Sequence, residues 1–253
     1  MLRMRQICLV AHDLDAVEAD LSAIFGLAVC YRDPGVGRYG LHNFLMPVGN
    51  NFLEVVSPTR EGTAGGRYLE RRGGDCGYMV IPQCDDMLAI RERVERLGVR
   101  LAGESGRGVD QGIQLHPKDV PGAIVSIRQN HGANDPAPPW EPAGPDWLPA
   151  RRTDVVCAMV AAEIQTDNPP VLAARWGEVL GRPVTSGASG RPEIALDDAT
   201  LRFVPVTDGR GEGLSGLDLE TVDRRRVLEA AETRGSRMSD DLVMVCGMRF
   251  RLV

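Results

Sequence analysis

Glu54 is the residue in this sequence whose surroundings most favour acid–base chemistry. It lies in "NNFLEVVSP", where most of its neighbours are apolar. Burial raises a carboxyl pKa because the charged form loses its hydration. Such a carboxylate suits a general base that removes a proton next to a carbonyl group. The structural alternative is a carboxylate held by an arginine or a tyrosine, and the sequence leaves both open.

Histidine is the second residue type with chemical potential, and the chain has only four. His42 lies in "GLHNF" and His116 lies in "IQLHPKDVPGAIVSI", both in predicted strands. An imidazole can transfer protons near neutral pH and is a common metal ligand. His116 is followed by Pro117, however, which is typical of a turn in which the ring bonds to the backbone or to solvent.

The elements that must position these residues follow one plan, repeated four times. The first copy begins with the alternating strand "RQICLVAH" and continues into a helix that Asp13 caps and Gly26 ends. The strands "GLHNFLMP" and "NNFLEVVSP" follow, joined by a turn at Gly49 and Asn50. A third copy starts its helix at Asn168, and the second and fourth copies have the same order of strand, helix and further strands. The pattern predicts an α+β fold in which two units pair to bury their sheets and enclose a cleft.

A proline-rich stretch separates the second copy from the third. The segment "NHGANDPAPPWEPAGPDWLPARR" contains six prolines and has neither strand nor helix periodicity. It predicts an extended linker over residues 131–152, between an N-terminal module pair at 1–130 and a C-terminal pair at 153–253.

The composition excludes several classes of partner. The net charge of −6 disfavours nucleic acid, and no apolar run is long enough to span a membrane. The N-terminus lacks the features of a signal peptide, which predicts a cytoplasmic protein. Six scattered cysteines without a CxxC pair predict reduced thiols rather than a zinc cluster.

This arrangement resembles the vicinal oxygen chelate superfamily, which includes glyoxalase I, methylmalonyl-CoA epimerase, the bleomycin and fosfomycin resistance proteins and the extradiol dioxygenases. The resemblance covers nearly the whole chain and implies four βαβββ-type modules paired into two glyoxalase-like domains with curved mixed sheets. The stretches that carry it are "ICLVAHDLDAVEADLSAIFGL", "NNFLEVVSP", "LHPKDVPGAIVSI" and "EIQTDNPPVLAARWGEVLGRPV".

The resemblance also implies where a divalent metal would bind. In metal-dependent members each module donates one ligand from its first strand, usually His or Gln, and one from its last, usually Glu. The matching residues of the first module are Gln6 and Glu54. Carrying their separation over to Tyr78, in the first strand of the second module, gives Ser126. The early position could also be the neighbouring Met79, which is no better a ligand, so half of the expected ligands are missing.

The C-terminal half offers no ligand at the matching positions. Its early positions are Ala161 and either Ser215 or Gly216, and its late positions fall near Arg202 and Arg249. An arginine at such a position would repel a cation.

The two strand histidines could complete a metal site in the first half. His42 precedes Glu54, and His116 precedes Ser126, by an even number of residues, which suggests a shared face. Gln6, His42, Glu54 and His116 together would suit Zn, Fe, Mn or Ni. The alternative is that both histidines bond only to backbone or solvent.

These observations predict a glyoxalase-like protein that acts on or binds a small organic molecule in its N-terminal cleft. The leading hypothesis is a lyase or isomerase in which Glu54 is the base or a metal ligand and Tyr78 donates to a substrate oxygen. The competing hypothesis is a metal-free binding or sequestration protein of the resistance type. A degenerate extradiol dioxygenase comes third, and the resemblance also suggests a homodimer.

Overall fold

The structure is a computed structural model that describes residues 1–132, 135 and 137–253. The helices are α1 Leu14–Phe25, α2 Ala64–Arg72, α3 Met87–Arg96, α4 Pro169–Leu180 and α5 Arg224–Thr233. The strands are β1 Leu2–Val10, β2 Leu41–Val48, β3 Asn51–Pro58, β4 Cys76–Cys84, β5 Leu101–Arg107, β6 Asp110–Leu115, β7 Ile124–Gln129, β8 Val156–Thr166, β9 Val184–Ser186, β10 Pro192–Ala195, β11 Thr200–Pro205, β12 Gly213–Thr221, β13 Leu242–Val245 and β14 Met248–Leu252. Short 3-10 helices lie at Pro34–Tyr39, Glu141–Ala143 and Leu148–Ala150.

The strands form two mixed sheets of seven strands each. Their orders are β2-β3-β1-β4-β7-β6-β5 and β13-β14-β12-β8-β11-β10-β9. The α+β class predicted from the sequence is therefore confirmed. No helix in the described part of the chain is long and apolar enough to span a membrane.

The chain divides into two compact units, each built from several segments. Unit 1 consists of Met1–Arg5, Tyr78–Pro139 and Ala161–Leu214. Unit 2 consists of Gln6–Gly77, Trp140–Val160 and Ser215–Val253. The division at 131–152 predicted from the sequence stays a prediction, as does the cleft.

The second part of the proline-rich segment is folded and is not an extended linker. From Trp140 onward it forms two short 3-10 helices, and Trp140 and Trp147 are only 1% and 3% exposed within unit 2. Burial of two indoles outweighs the absence of regular periodicity in this segment. The predicted linker also includes residues 133, 134 and 136, which lie outside the described residues.

The first helix follows the predicted pattern. The carboxylate of Asp13 accepts a hydrogen bond from the Ala16 amide at 3.0 Å, and Gly26 ends the helix with φ +69°. The apolar residues along one face of the helix are buried, namely Leu14, Val17, Leu21 and Ile24. Helix α1 is therefore fixed at both ends by capping and along one side by packing.

The β2–β3 hairpin sets the position of Glu54. A two-residue turn at Gly49 and Asn50 joins the strands, and Gly49 has φ +61°. A tight two-residue hairpin turn requires a positive φ at its first residue, and glycine adopts this angle readily. The resulting register pairs Leu45 with Glu54 and His42 with Ser57.

Candidate functional site

Glu54 lies in the middle of β3 and is only 7% exposed. Its parallel partner on β1 is Cys8, and its antiparallel partner on β2 is Leu45. All three residues belong to unit 2. The carboxylate therefore sits between two neighbouring strands rather than at a free edge.

Neutral donors surround the Glu54 carboxylate. Gln6 Nε2 donates to Oε2 at 2.7 Å, and Asn43 Nδ2 donates to Oε1 at 2.6 Å. The thiol of Cys8, the strand partner of Glu54, donates to the backbone carbonyl of Leu9 at 3.4 Å. Glu54 is thus held in one orientation without a cation as its hydrogen-bond partner.

The two amide side chains are themselves oriented from their far ends. Trp140 Nε1 donates to Gln6 Oε1 at 2.6 Å, and the backbone N–H of Asp33 donates to Asn43 Oδ1 at 2.9 Å. Indole and backbone N–H groups only donate. Each amide must therefore turn its oxygen away from Glu54 and its NH2 group towards it.

Burial raises the pKa of Glu54 above its usual value, and this is the largest influence on it. The bonds from Asn43 and Gln6 oppose the rise, whereas the negative charge of Asp33 adds to it. Burial and the neighbouring Glu54 charge also raise the pKa of the Cys8 thiol well above its usual value. Cys8 therefore stays protonated and acts as a donor.

A pocket of about 300 Å³ lies beside this group at the beginning of β2. Its lining includes Leu14, Arg32, Asp33, Leu41, His42 and Asn43. Asn43 both lines the pocket and donates to Glu54, whereas Glu54 itself is not among the lining residues.

His42 does not share the Glu54 face, contrary to the sequence prediction. Leu45 pairs with Glu54, and His42 pairs with Ser57, so an even-numbered residue of β2 faces away from an even-numbered residue of β3. The even spacing was misleading because the two-residue turn pairs odd positions with even ones. The side chain of His42 is exposed.

His116 is a turn residue of unit 1. Its Nδ1 accepts from the backbone N–H of Lys118 at 3.2 Å, and its carbonyl accepts from the amides of Asp119 and Val120. The Asp119 carboxylate in turn receives hydrogen bonds from Arg100, which lower the pKa of that carboxyl. His116 is therefore a turn histidine bonded to the backbone, which the sequence analysis had considered as the alternative to a metal ligand.

The helix caps give the structural equivalents of Gln6 in the other modules. Each cap accepts from the backbone amide three residues later, and the caps are Asp13, Asp86, Asn168 and Asp223. Counting back from these caps, the residues equivalent to Gln6 are Met79, Ala161 and Gly216. Tyr78 was therefore misplaced by one residue and corresponds to Arg5, whose side chain alternates to the other face.

The strand registers likewise locate the equivalents of Glu54. Glu54 lies two residues after the β3 residue that pairs with Gln6. In the other modules the corresponding pairing residues are Ile124, Thr200 and Arg249, and the same step from them gives Ser126, Arg202 and Arg251. Ser126 and Arg202 agree with the sequence prediction, whereas Arg251 replaces Arg249.

Acidic residues, which the sequence analysis missed, accompany the two arginines. Glu163 and Asp218 stand where the first module has Cys8, as the partners of Arg202 and Arg251. Each acid lies 3.9 Å from its arginine, within one unit. The C-terminal modules therefore place ion pairs where the first module has a thiol and a carboxylate.

The predicted metal ligands do not fit a metal centre in unit 2. The ligand atom of Gln6, its amide oxygen, accepts from Trp140, and both Glu54 oxygens accept amide N–H groups. His42 faces away, and His116 belongs to unit 1. Among the described residues, no group of three or more His, Cys, Asp or Glu side chains could hold an ion.

Comparison with known proteins gives one sequence relative and several structural neighbours. No family model matches the chain. It is 24% identical over 131 residues to the ethylmalonyl-CoA/methylmalonyl-CoA epimerase of Cereibacter sphaeroides, across 50% of this chain and 97% of that protein.

Two solved structures resemble the chain over nearly all of its length. A hypothetical protein from Staphylococcus aureus has a TM-score of 0.68 at 11% identity, covering 100% of this chain and 99% of that one. A mutant of 4-hydroxymandelate synthase from Streptomyces coelicolor has a TM-score of 0.68 at 14% identity, covering 93% and 76%. At these identities the likeness is one of fold.

Proposed function

The chain has the glyoxalase-like fold of the vicinal oxygen chelate superfamily, and we propose that on this scaffold it is an enzyme with Glu54 as general base. The reaction proposed is removal of a proton next to a carbonyl group of a small organic substrate, as in an isomerase. This step needs neither Tyr78 nor the histidines His42 and His116.

The observation that supports this proposal is a buried carboxylate with a raised pKa and a fixed orientation. A raised pKa makes a carboxylate a stronger base, and a general base works best when its pKa lies near the working pH. A carboxylate has about four lone-pair positions. The donors from Gln6 and Asn43 leave the remaining positions for a substrate proton.

The pocket beside Asn43 supports a small substrate group. Its volume of about 300 Å³ lies at the lower end of the usual range for ligand pockets. It could take a short acyl group but not a whole coenzyme.

The substrate class proposed here is taken from the name of the sequence relative. The Cereibacter protein is named for ethylmalonyl-CoA and methylmalonyl-CoA. Both compounds carry an acidic proton between a thioester and a carboxylate carbonyl. We therefore propose a 2-substituted malonyl thioester as the first substrate to test.

Deuterium exchange tests the proposal directly. The full chain is incubated in D2O with methylmalonyl-CoA or ethylmalonyl-CoA, and deuterium at the α-carbon is measured by mass spectrometry. We expect exchange above the uncatalysed rate, reduced by about 10²–10⁴-fold in Glu54→Gln because the base is lost.

The control is Glu61→Gln, which changes an exposed glutamate of the same unit and should exchange like the wild type. If neither thioester exchanges, or if Glu54→Gln exchanges as fast as the wild type, the proposed base is wrong.

Small-molecule binding without catalysis is the second candidate. The burial and internal hydrogen bonds of Glu54 favour it, because a carboxylate held in this way also fits a structural role. A ligand that raises the melting temperature of the wild type without deuterium incorporation would support this candidate. The dioxygenase hypothesis gains no support from the arginines at the late positions, and the homodimer stays a prediction.

A further inference from the structure

We infer that Trp140 is a positioning residue that orients the Gln6 amide and, through it, the donor to Glu54. Its indole N–H fixes the Gln6 amide in the orientation that donates to the carboxylate. This inference adds a residue to the proposed site, and its catalytic meaning rests on the proposed function. The effect of Trp140 on Glu54 does not depend on the proposed function.

The hydrogen bond between Trp140 and Gln6 is short and buried, and it joins two residues that are far apart in the sequence. Trp140 Nε1 lies 2.6 Å from Gln6 Oε1, and the indole is 1% exposed. Gln6 Nε2 lies 2.7 Å from the carboxylate. One amide therefore connects a donor in the proline-rich segment with the proposed base.

The segment that carries Trp140, residues 140–152, is held against the first module at several points and is called the strap here. The ring of Trp147 packs edge-on against Phe52 with centroids 5.0 Å apart, and Phe52 is the strand partner of Gln6. Arg151 Nη1 donates to Asn50 Oδ1 at 2.7 Å. The strap thus holds Trp140 in place beside the strands that carry Gln6 and Glu54.

Loss of the indole N–H would change the charge balance at Glu54. The Gln6 oxygen would be buried without its indole donor, an arrangement that proteins avoid. The oxygen could regain a donor by turning towards Glu54, but only if Glu54 is protonated, because an ionised carboxylate has no hydrogen to donate. Replacing a donor by an acceptor disfavours the charged form, so the pKa of Glu54 would rise further.

The experiment measures the pKa of Glu54 without a substrate. The side-chain carboxyl carbons of glutamate are labelled with ¹³C, Glu54→Gln identifies the resonance, and the full chain is titrated by NMR. We expect Trp140→Phe and Gln6→Met each to raise the midpoint by about one pH unit. Because Trp140 acts through Gln6, the double variant should titrate like Gln6→Met alone.

Trp147→Phe is the matched control. It removes an indole from the same strap but keeps the donor to Gln6, so the Glu54 midpoint should stay at the wild-type value. Circular dichroism confirms that each variant folds. If Trp140→Phe does not fold, Gln6→Met decides the matter alone.

An unchanged midpoint in Trp140→Phe or in Gln6→Met would overturn the inference, as would additive shifts in the double variant. A protein that shows these shifts without deuterium exchange would retain the inference and lose the proposed function. A protein that exchanges should show the acid limb of its rate–pH profile displaced upward in Trp140→Phe, in parallel with the NMR midpoint.

Discussion

Glu54 is held by amide donors rather than by a guanidinium group, and this determines how its charge responds to pH. A neighbouring cation would lower the pKa of a carboxyl group, whereas neutral donors only reduce the rise that burial causes. The group is therefore fixed in position and still ready to accept a proton. This combination is more useful in a base than in a structural carboxylate.

The raised pKa of Glu54 predicts a pH-dependent contribution to stability. Between the unfolded and the folded pKa, the folded state keeps a proton that the unfolded state has released. The contribution of Glu54 to the free energy of unfolding therefore falls as the pH rises through this window and stays low above it. The measurement is urea unfolding of the wild type and Glu54→Gln from about pH 4 to about pH 8.

We expect the stability of the wild type relative to Glu54→Gln to decrease as the pH rises. Other carboxylates contribute equally to both proteins, and the cost of replacing an acceptor by an amide adds a constant offset. A difference that stays level or increases with pH would contradict the raised pKa.

The sequence and its resemblance identified Gln6 and Glu54, but not the residues around them. Asn43 and Cys8 meet Glu54 only because of strand register, and a shift of one residue would turn them away. Trp140 comes from a stretch without periodicity, 134 residues from its partner. His42 was assigned to the wrong face for the same reason of register.

At the level of elements, the turn between β2 and β3 has the largest effect on the site. It fixes which residues of β2 face Glu54, and its own conformation depends on Gly49. A Cβ at Gly49 would lie 2.2 Å from the backbone oxygen of Cys157, which is far too close for any side chain. Both the turn angle and this close approach require glycine.

Gly49→Ala is therefore predicted to destabilise the protein by more than about 1 kcal/mol. Gly62→Ala is the matched control, because Gly62 has φ +71° in the same unit but nothing within 4 Å of an added Cβ. Urea unfolding at constant pH gives both values. Equal losses in the two variants would mean that the approach to Cys157 contributes nothing.

Capping and helical periodicity predicted the helices of the four modules well, whereas several smaller elements were missed. Helix α2 contains two consecutive glycines, strand β9 has only three residues, and both β5 and β9 are largely exposed. Elements that bury little apolar surface leave little periodicity in the sequence. Packing and pairing, rather than local pattern, form them.

For the whole molecule, four copies of one plan have kept their frame and changed the residues at the site positions. The equivalents of Gln6, Cys8 and Glu54 are Met79, Ile81 and Ser126, then Ala161, Glu163 and Arg202, then Gly216, Asp218 and Arg251. Repeat spacing found several of these from the sequence. It failed by one or two residues at Tyr78 and Arg249, because spacing does not show the strand register.

The donor arrangement predicts that Gln6 and Glu54 bind no divalent metal in the full chain. Elemental analysis of protein purified without chelator should give the same metal content for the wild type and Glu54→Gln. The reason is that the Gln6 oxygen and both Glu54 oxygens already accept hydrogen bonds. Stoichiometric Zn, Fe, Mn or Ni that disappears in Glu54→Gln would contradict this.

The bond from Trp140 to Gln6 also has a consequence for the order in which the protein is made. Gln6, Asn43 and Glu54 leave the ribosome well before Trp140, which is 134 residues later in the chain than Gln6. At about 5–20 residues per second, the nascent first module waits several seconds for its last donor. The Gln6 amide therefore gains its orienting donor only after the strands that carry Gln6 and Glu54 have been synthesised.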